Sequence, residues 1–450
     1  MRRFSAVVLA AGVGKRIGFS IPKILIPLCG KPMISFVVET LKSLNPENLI
    51  LVVSPQAKGK IEELFGDSVK LAVQENPCGT GNALLCALKQ FPDLKGTLLV
   101  TCGDTPLLKK ETFEALIDYQ VLKKASAAVL TEELENPFGY GRIVRDRKKW
   151  IKKIVEEKDA DSKIKKIKEI NTGTYCFDLK ELEKTLPLLT QNNDQKEYYL
   201  TDSLHLFSKW KKKAVPLLIS DSDSALGINT LSELSRTMNL LYREIREKLM
   251  NSGVLLVDPE TIYVDAEIKI GSQTILYPFT ILEKGTVIGS NCQIGPFTRV
   301  SNSRIGNEVV IQNSVLNEAE ISDGCSIGPY AYLRSGTLLQ KKVKIGDFVE
   351  VKKTTIGFSS KVPHLSYIGD ADIGENVNIG AGTITCNYDG KRKYNTIIED
   401  GAFIGSNTNL RAPVRIGKNA VTGAGSVVIK DVEADTVVAG VPAKVIKNGS

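Results

Sequence analysis

Paired cysteines are missing from this 450-residue sequence. Its eight cysteines are scattered, and no two of them form a C-x-x-C pair. This spacing suits neither a zinc ribbon nor a disulfide framework. We therefore expect free thiols in a reducing, cytoplasmic compartment, at Cys29, Cys78, Cys86, Cys102, Cys176, Cys292, Cys325 and Cys386.

Long apolar runs are missing as well. No stretch approaches the ~20 apolar residues of a membrane span. The short run 6–11 imitates a signal peptide but leads directly into a polar glycine loop. Modules that combine basic and aromatic residues for nucleic-acid binding are also lacking. The net charge of +8 suits anionic small-molecule substrates or serves only solubility. We expect neither a nucleic-acid nor a membrane partner.

The pattern of apolar residues changes near residue 250. Before it, short apolar runs alternate with amphipathic segments, which predicts an α/β domain. We expect it to be Rossmann-like, with a mostly parallel sheet covered on both faces. The predicted strands are 6–10, 49–53, 71–73 and 98–101, and the predicted helices are 32–44, 58–65, 80–90 and 110–123.

After residue 250 the apolar period becomes six residues, often with glycine following. This pattern predicts a parallel β-helix in which each face contributes one inward aliphatic and glycine or asparagine takes the tight corners. A β-sandwich would instead place its turns every 8–12 residues. The register is carried by Ile288, Ile294 and Val300, by Ile321, Ile327 and Leu333, by Ile373 and Ile379, and by Ile398, Ile404, Leu410 and Ile416.

Breaks in the period are predicted at roughly 357–367 and 386–396, and interruptions of solenoids often carry binding residues. Between 231 and 250, apolar residues spaced by three and four predict an amphipathic connecting helix that ends near Gly253. We thus expect a first domain at 1–228, a linker helix at 229–250 and a repeat domain at 251–450.

A glycine loop follows the first predicted strand, in the run Leu9-Ala10-Ala11-Gly12-Val13-Gly14-Lys15-Arg16. Glycines let a backbone approach phosphate closely, and loop amides bind anions. Arg16 and Lys23 add positive charge suited to a triphosphate. A dinucleotide-binding loop is the alternative, but the third glycine of G-x-G-x-x-G is missing.

Asp104 comes just after the predicted strand 98–101. Open α/β sheets bind ligands at the carboxyl ends of their strands. Mg²⁺ takes one or two carboxylates and keeps other positions for phosphate oxygens. Asp104 is therefore a candidate magnesium ligand, and a strand-ending Asp-Thr-Pro turn is the alternative for this segment alone.

Together these motifs resemble the sugar-1-phosphate nucleotidyltransferases. Further landmarks narrow the resemblance to the family of bifunctional N-acetylglucosamine-1-phosphate uridylyltransferase/glucosamine-1-phosphate acetyltransferases. Gln74 with Gly79-Thr80-Gly81 is similar to its uracil-recognising stretch, and the segments 139–143, 155–158 and 169–173 are similar to its N-acetylglucosamine-contacting stretches. The resemblance implies Mg²⁺ on Asp104 and Asn229. The UTP and UDP-N-acetylglucosamine contacts that it implies are Leu9, Ala10, Ala11, Gly12, Arg16, Lys23, Gln74, Gly79, Thr80, Cys102, Gly103, Gly141, Glu156, Asn171 and Asn229.

The implied reaction is attack by a sugar-1-phosphate oxygen on the α-phosphorus of UTP, with release of pyrophosphate. Positioning, Mg²⁺ and cationic side chains then offset the charge of the transition state. Lys15, Asn82 and Cys102 depart from the family pattern, and Asn82 stands where histidine is usual. None of these three is a metal ligand in the family.

Only two histidines occur. His205 lies in a helical stretch and is interpreted as structural. His364 lies in the first predicted break. Acyl transfer to an amine needs a base that takes the ammonium proton near neutral pH, and histidine suits that task. A lone loop histidine is more often incidental, but the resemblance implies that His364 is the catalytic base.

The same resemblance implies the other ligands of the second half. Glucosamine-1-phosphate would bind Arg334, Lys352, Tyr367, Asn378 and Lys393, with the two basic types suited to its phosphate. A solvated basic face is the alternative for Lys352. Acetyl-CoA, as co-substrate, would bind Ala381, Asn387, Tyr388, Ser406 and Ala424. Left-handed winding, direct transfer and a homotrimer with acetyl-transfer sites between subunits are also implied.

The predicted function is therefore bifunctional synthesis of UDP-N-acetylglucosamine. The alternative is a single-activity sugar-1-phosphate nucleotidyltransferase whose β-helix serves only assembly or regulation, and a non-enzymatic binding protein is a third interpretation. The residues around His364 argue against the single-activity nucleotidyltransferase. Asp104 and Asn229 argue against the non-enzymatic binding protein.

Overall fold

The computed structural model describes residues 3–12, 14, 17–219, 225 and 227–448. The chain divides into two compact units, Met1–Asn239 and Leu240–Ser450. Across the described residues, no helix combines the length and the apolar character that crossing a membrane requires.

A mixed sheet forms the centre of the first unit. All four predicted strands are present, and they pair in parallel with one another. Glu169–Asp178 runs antiparallel to both of its neighbours, and Arg142–Arg145 with Ile151–Val155 extends it as an antiparallel pair. Pro27–Leu28 and Lys31–Pro32 form a separate ribbon. In order across the main sheet the strands are Ala214–Leu218, Ala127–Glu133, Glu169–Asp178, Thr97–Cys102, Phe4–Ala10, Asn48–Val53 and Lys70–Val73.

Both faces of this sheet are covered, as predicted. Successive residues of a strand point to opposite faces; accordingly Ala6 and Val8 lie in one buried cluster and Val7 in another. The helix predicted at 58–65 begins earlier, at Pro55, because proline suits the first helical turn. His205 lies in a helix, as expected. The α-helices of this unit are Met33–Lys42, Pro55–Phe65, Thr80–Gln90, Lys110–Leu122, Leu179–Thr185 and Asp202–Lys209.

The predicted connecting helix is present as Leu231–Asn251, and the boundary between the two units falls within it. Thr230 and Glu233 form a capping box at its start: the Glu233 amide donates to Thr230 Oγ1 at 3.2 Å, and Glu233 Oε2 accepts from the Thr230 amide at 2.8 Å. Gly253, with φ of +88°, follows its end. The domain limits at 228 and 251 stay a prediction.

The second unit is the predicted parallel β-helix. The strands pair in parallel with strands one coil away, as in the pairs Ile311 with Ile327 and Leu276 with Ile294. The last strand, Ala443–Lys447, is the exception and runs antiparallel to Val437–Gly440. Every aliphatic of the predicted register is at most 3% exposed, because each strand turns one side chain inward onto a continuous core.

Two sheets make up the coils. One contains Leu255–Leu256, Ile275–Leu276, Gln293–Ile294, Val310–Ile311, Ser326–Ile327, Lys344–Asp347, Lys361–His364, Asn378–Ile379, Phe403–Ile404, Val421–Thr422, Val437–Gly440 and Ala443–Lys447. The other contains Tyr263–Val264, Lys269–Ile270, Ile281–Leu282, Val287–Ile288, Arg299–Ser301, Arg304–Ile305, Val315–Asn317, Ala319–Ile321, Tyr332–Leu333, Thr337–Leu339, Glu350–Ile356, Tyr367–Ile373, Ile384–Cys386, Thr396–Ile398, Asn409–Arg411, Val414–Ile416 and Val427–Val428.

The break predicted at 357–367 is wrong. Strand Lys361–His364 lies within the coil and pairs in parallel with strands on both sides. Ile356, Val362 and Ile368 keep the predicted register and are fully buried. The polar residues around them suggested an interruption where the coil is regular. One aliphatic in six is enough to fill the core, so the other positions can be polar.

The second break, near 386–396, is confirmed. Ile379 pairs with Ile404, so this coil takes up more of the chain than a regular coil such as the one from Ile311 to Ile327. The extra residues form a projecting loop, closed by an antiparallel bridge between Tyr388 and Lys393.

Several corners of the β-helix hold aromatic residues where glycine or asparagine was predicted. Phe279 and Phe297 have φ of +59° and +50° and stack with their ring centroids 4.9 Å apart. Tyr330 and Phe348 stack in the same way at 5.2 Å. Stacking between successive coils offsets the cost of a left-handed backbone at a bulky residue.

Candidate functional site

An open cleft of about 730 Å³ lies at the carboxyl ends of the adjacent parallel strands Phe4–Ala10 and Thr97–Cys102. We call it the N-terminal cleft. Eleven of the predicted nucleotide and metal residues line it, and Gly103, Gly141, Glu156 and Asn171 do not. Arg16 lies outside the described residues, as does Lys15. The predicted lining residues are Leu9, Ala10, Ala11, Gly12, Lys23, Gln74, Gly79, Thr80, Cys102, Asp104 and Asn229.

The two predicted metal ligands meet at this cleft. Lys23 Nζ forms a short ion pair with Asp104 Oδ2 and donates to Asn229 Oδ1 at 3.0 Å. The side chain of Lys23 is only 10% exposed and that of Asp104 is 22% exposed. A hydrogen bond of 3.1 Å from the Ile228 amide to the Asp104 carbonyl joins the two segments. The oxygens of Asp104 and Asn229 thus converge on one positive charge.

That arrangement fits a magnesium ion. A carboxylate and an amide oxygen are hard ligands of the kind that Mg²⁺ prefers, and Mg²⁺ keeps several waters or phosphate oxygens. In the described part of the chain, no group of three or more His, Cys, Asp and Glu side chains could hold a metal. An ion on Asp104 and Asn229 would therefore take its other ligands from the substrate and water.

Gln74 and Gly79 form a second part of the cleft. Gln74 Nε2 donates to the Gly79 carbonyl at 3.2 Å and to Asn82 Oδ1 at 2.8 Å. Gly79 has φ of +101°, and a Cβ there would lie 2.7 Å from the Tyr198 carbonyl oxygen, so only glycine fits. Thr80 Oγ1 accepts from the Leu200 amide at 3.1 Å. These contacts fix the segment between Gln74 and helix Thr80–Gln90.

Gly141, Glu156 and Asn171 lie together in the same unit. The Asn171 amide donates to the Gly141 carbonyl at 2.8 Å, and a Cβ on Gly141 would lie 3.2 Å from Glu156 Oε2. Thr201 Oγ1 donates to Glu156 Oε1 at 3.2 Å. Protein groups enclose the Glu156 carboxyl, and this desolvation raises its pKa to about 7.

Strand Thr97–Cys102 ends beside this group, and Gly103 joins it to Asp104. Cys102 Sγ lies 3.7 Å from the Gly173 carbonyl oxygen, and burial raises the pKa of its thiol to about 12. The Gly103 amide donates to the Leu9 carbonyl at 3.0 Å. A Cβ on Gly103 would lie 2.8 Å from Ile34 Cδ1, so glycine permits this close packing.

Three polar lining residues and one partner were not predicted. Asp194, Gln195 and Glu197 line the N-terminal cleft together with Lys158 of the predicted segment 155–158, and Thr201 is the hydrogen-bond partner of Glu156. Most of them belong to the irregular stretch before helix Asp202–Lys209, where no periodicity marks a strand or helix. Its density of polar and aromatic residues was the available signal.

In the second unit, His364 pairs with an acidic residue one coil earlier. Asp347 and His364 are parallel partners, and His364 Nδ1 forms a short hydrogen bond with Asp347 Oδ1. That bond lowers the pKa of Asp347. Asp347 was not predicted, although it stands as far before His364 as Ile345 stands before its partner Val362 on the next coil.

The predicted acetyl-CoA positions Ala381, Ser406 and Ala424 continue that corner. Strand pairs Lys361 with Asn378, Asn378 with Phe403 and Phe403 with Val421 set the register. In this register Ala381, Ser406 and Ala424 follow His364 on successive coils. The Asn407 amide donates to the Ala381 carbonyl at 2.7 Å, and the Gly425 amide to the Ser406 carbonyl at 2.8 Å. We call Asp347, His364, Ala381, Ser406 and Ala424 the corner column.

Three of the predicted sugar-phosphate residues, Arg334, Lys352 and Lys393, form a basic group. The ammonium group of Lys393, with a smaller contribution from Arg334, lowers the pKa of Lys352. Arg334 Nη1 donates to Glu350 Oε1 at 2.6 Å. Tyr367 is the strand partner of Glu350. Mutual repulsion of this kind favours the binding of an anion.

The projecting loop contributes Asn387 and Tyr388. Asn387 is 6% exposed, and its Nδ2 donates to Asp370 Oδ2 in a short bond and to the Tyr367 hydroxyl at 3.5 Å. Tyr388 is 59% exposed and donates to the Gly390 carbonyl at 2.6 Å. Asn378 lies at the start of a strand that leads to Ala381. Asp370 and Glu350 were not predicted.

Comparison with known protein families supports the division of the chain. Residues 6–169 match the MobA-like NTP transferase domain. Residues 259–362 match the GMPPB C-terminal domain, and residues 395–430 match the bacterial transferase hexapeptide (six repeats). These matches confirm the predicted α/β transferase domain and hexapeptide-repeat domain.

Whole-length relatives have similar chains. The "Bifunctional protein GlmU" of Carboxydothermus hydrogenoformans is 51% identical over 426 residues, which cover 95% of this chain and 95% of that protein. The protein of the same name from Heliobacterium modesticaldum is 49% identical over 96% of this chain and 94% of its own. That of Syntrophomonas wolfei is 46% identical over 97% of both.

Proposed function

Because the chain belongs to the family of bifunctional GlmU proteins, we propose that it makes UDP-N-acetylglucosamine by two transfers. The second unit acetylates glucosamine-1-phosphate with acetyl-CoA, and the first unit then couples the product to UTP. The observation that carries this proposal is the pair of separate polar sites: the converging oxygens of Asp104 and Asn229, and the His364–Asp347 pair.

In uridylyl transfer, a phosphate oxygen of N-acetylglucosamine-1-phosphate forms a bond to the α-phosphorus of UTP while the bond to pyrophosphate breaks. Lys23 supplies positive charge where negative charge accumulates. Mg²⁺ bound by Asp104 and Asn229 would neutralise phosphate charge. Gln74 faces the base, and Glu156 and Asn171 face the sugar. The remaining contacts of Leu9, Ala10, Ala11 and Gly12 come from a backbone that approaches phosphate closely.

In acetyl transfer, the amine of glucosamine-1-phosphate attacks the thioester carbonyl of acetyl-CoA. A C–N bond forms, the C–S bond breaks, and coenzyme A leaves as thiolate. His364 Nδ1–H donates a hydrogen bond to Asp347 Oδ1, which leaves the Nε2 lone pair free to take the amine proton. Arg334, Lys352 and Lys393 hold the sugar phosphate. The corner column beyond His364 and the loop residues Asn387 and Tyr388 hold the coenzyme.

We further propose a homotrimer located in the cytoplasm. Hexapeptide repeats in the second unit are compatible with oligomerisation, and the corner column is a surface feature on which a neighbouring subunit could close the coenzyme site. Light scattering after gel filtration tests this proposal. We expect three times the chain mass of 49.1 kDa; a monomer that is fully active in acetyl transfer would contradict sites shared between subunits.

A single-activity nucleotidyltransferase with a β-helix scaffold is not favoured, because relatives called bifunctional match the chain over both units. The deciding experiment incubates the protein with glucosamine-1-phosphate, acetyl-CoA, UTP and Mg²⁺, and then omits each component in turn. We expect free coenzyme A without UTP, and pyrophosphate only when all four are present. Coenzyme A release with no pyrophosphate under any condition would show that the first unit is silent. Pyrophosphate released from N-acetylglucosamine-1-phosphate and UTP, with no coenzyme A release from glucosamine-1-phosphate and acetyl-CoA, would show that the second unit is silent.

A further inference from the structure

Asn82 lies in the first turn of helix Thr80–Gln90, beside Gln74. Gln74 lines the N-terminal cleft and is only 5% exposed. Its amide nitrogen carries two hydrogens. One is donated to the Gly79 carbonyl at 3.2 Å and the other to Asn82 Oδ1 at 2.8 Å. Gln74 therefore has only its oxygen, Oε1, left for a ligand.

The direction of the Gln74 amide follows from chemistry. A backbone carbonyl can only accept, so the nitrogen of Gln74 must face Gly79. Asn82 must then present its own oxygen to the second hydrogen. If the Gln74 amide turned over, its oxygen would face the Gly79 oxygen with no proton between them, and a buried acceptor without a donor is costly.

We propose that Asn82 is a positioning residue for base selection: with Gly79, it holds Gln74 so that the cleft offers a hydrogen-bond acceptor to the nucleobase. This inference rests on the proposed uridylyl transfer and deepens it. The ring nitrogen between the two carbonyl groups of uracil carries a hydrogen, whereas the same nitrogen of cytosine is an acceptor. A fixed acceptor on the protein pairs with uracil and repels cytosine.

Removing the polar group of Asn82 tests the idea. Asn82→Leu keeps the approximate size of the side chain, and Asn82→Ala suits a helix and serves as a second variant. Both leave one hydrogen of the buried Gln74 amide without an acceptor. We expect the KM for UTP to rise about tenfold while kcat stays within about twofold, since one hydrogen bond is lost. CTP should be affected less, so the preference for UTP over CTP falls.

Three controls separate positioning from general damage. Asn82→His restores an acceptor through its neutral ring nitrogen at pH 8, and we expect it to restore the preference. Gln74→Leu removes the group through which Asn82 is inferred to act, so the double variant Gln74→Leu/Asn82→Leu should select no worse than Gln74→Leu alone. Acetyl transfer, which belongs to the other unit, should be unchanged in every variant.

The outcomes are distinguishable. If Asn82→Leu and Asn82→Ala weaken UTP and CTP equally, or if the double variant is additive, Asn82 does not act through Gln74 and the inference is overturned. An unaltered preference in both single variants overturns it as well. If the unmodified protein releases no pyrophosphate from UTP, the proposed uridylyl transfer itself fails, independently of Asn82.

Discussion

Replacement of Glu156 by glutamine should remove a pH dependence from uridylyl transfer. Glu156 is enclosed beside Gly141 and accepts a hydrogen bond of 3.2 Å from Thr201. Burial raises the pKa of its carboxyl to about 7, so the group titrates within the ordinary working range. The substitution Glu156→Gln keeps the shape of the side chain and its contact with Thr201, but a glutamine amide cannot ionise.

The magnitude follows from the pKa. At pH 6 about a tenth of the Glu156 side chains are ionised, and at pH 8 about nine-tenths are. A carboxylate accepts hydrogen bonds from sugar hydroxyls more strongly than a neutral carboxyl does. We therefore expect kcat/KM for N-acetylglucosamine-1-phosphate to rise about tenfold between pH 6 and pH 8, relative to Glu156→Gln. Dividing kcat/KM of the unmodified protein by that of Glu156→Gln at each pH cancels the effect of ionisation of the substrate phosphate, which is the same for both proteins.

The contribution of Glu156 to the free energy of unfolding should fall as the pH rises, whereas the activity should increase. The pKa of Glu156 is higher in the folded protein than the ordinary value of 4.5. Its contribution to stability is therefore fully present below about pH 4.5 and is lost as the pH rises through about 7. The rise in the pKa of Glu156 corresponds to at most about 3 kcal/mol. Solvent screening of the partly accessible side chain lowers this value. Glu156→Gln should gain relative stability at pH 8.

Two measurements check this prediction. Pyrophosphate release at subsaturating sugar phosphate gives the activity ratio from pH 5.5 to 8.5. Urea unfolding gives the stability of the first unit, and tryptophan fluorescence reports on that unit alone because Trp150 and Trp210 are the only tryptophans. An activity ratio that stays flat with pH, or that falls as the pH rises, would refute the assigned role of the carboxylate.

Four further predictions concern the two units separately. Asp104→Ala should lower uridylyl transfer by about 10²-fold or more and leave acetyl transfer intact; loss of both activities in a folded protein would contradict independent sites. His364→Ala should lower coenzyme A release by about 10²–10⁴-fold without changing pyrophosphate release from supplied N-acetylglucosamine-1-phosphate and UTP. Asp347→Asn should cause a smaller loss and add nothing in the His364→Ala background. Ile345→Ala, at a fully buried position, should cost about 2–5 kcal/mol in urea unfolding followed by circular dichroism, and an unchanged transition would contradict a tightly packed β-helix core.

Much of the first unit was predictable because its central strands are continuous apolar runs. Leu98, Leu99 and Val100 are fully buried, so no solvent-facing alternation blurs the signal. The antiparallel strand Glu169–Asp178 was not predicted. Its direction depends on which strands it meets in the folded sheet, and a local sequence pattern carries no such information.

The β-helix was predictable from one aliphatic in six, but the same sparse pattern caused the error at 357–367. Ile356, Val362 and Ile368 hold the register, while Ser359, Ser360 and Lys361 between them resemble a loop. Burial in this fold depends only on the inward residue. The composition of the other five positions is therefore a poor guide to whether a coil continues.

The candidate site residues also include some that the sequence predicts and some whose contacts depend on the fold. Asp104 was predicted because a carboxylate just after a buried strand suits Mg²⁺, and His364 was predicted because the residues around it resemble the family's motif. Asp347 was missed because its role appears only when successive coils are superimposed, which places it directly beside His364. Asn82 was noticed as a departure from a family pattern, yet its contact with Gln74 depends on the packing of a helix against a strand end.

The separation of the two sites has a chemical reason. A divalent cation needs oxygen ligands, whereas the base for acetyl transfer needs a neutral imidazole with a free nitrogen lone pair. Imidazole is also a metal ligand, so an ion close to His364 would compete for the same lone pair that takes the amine proton. His205 and His364 are the only histidines of the chain, and neither lines the N-terminal cleft. We therefore propose that the cation is held by Asp104, Asn229 and substrate oxygens, and that the base is His364, paired with Asp347 in a unit of its own.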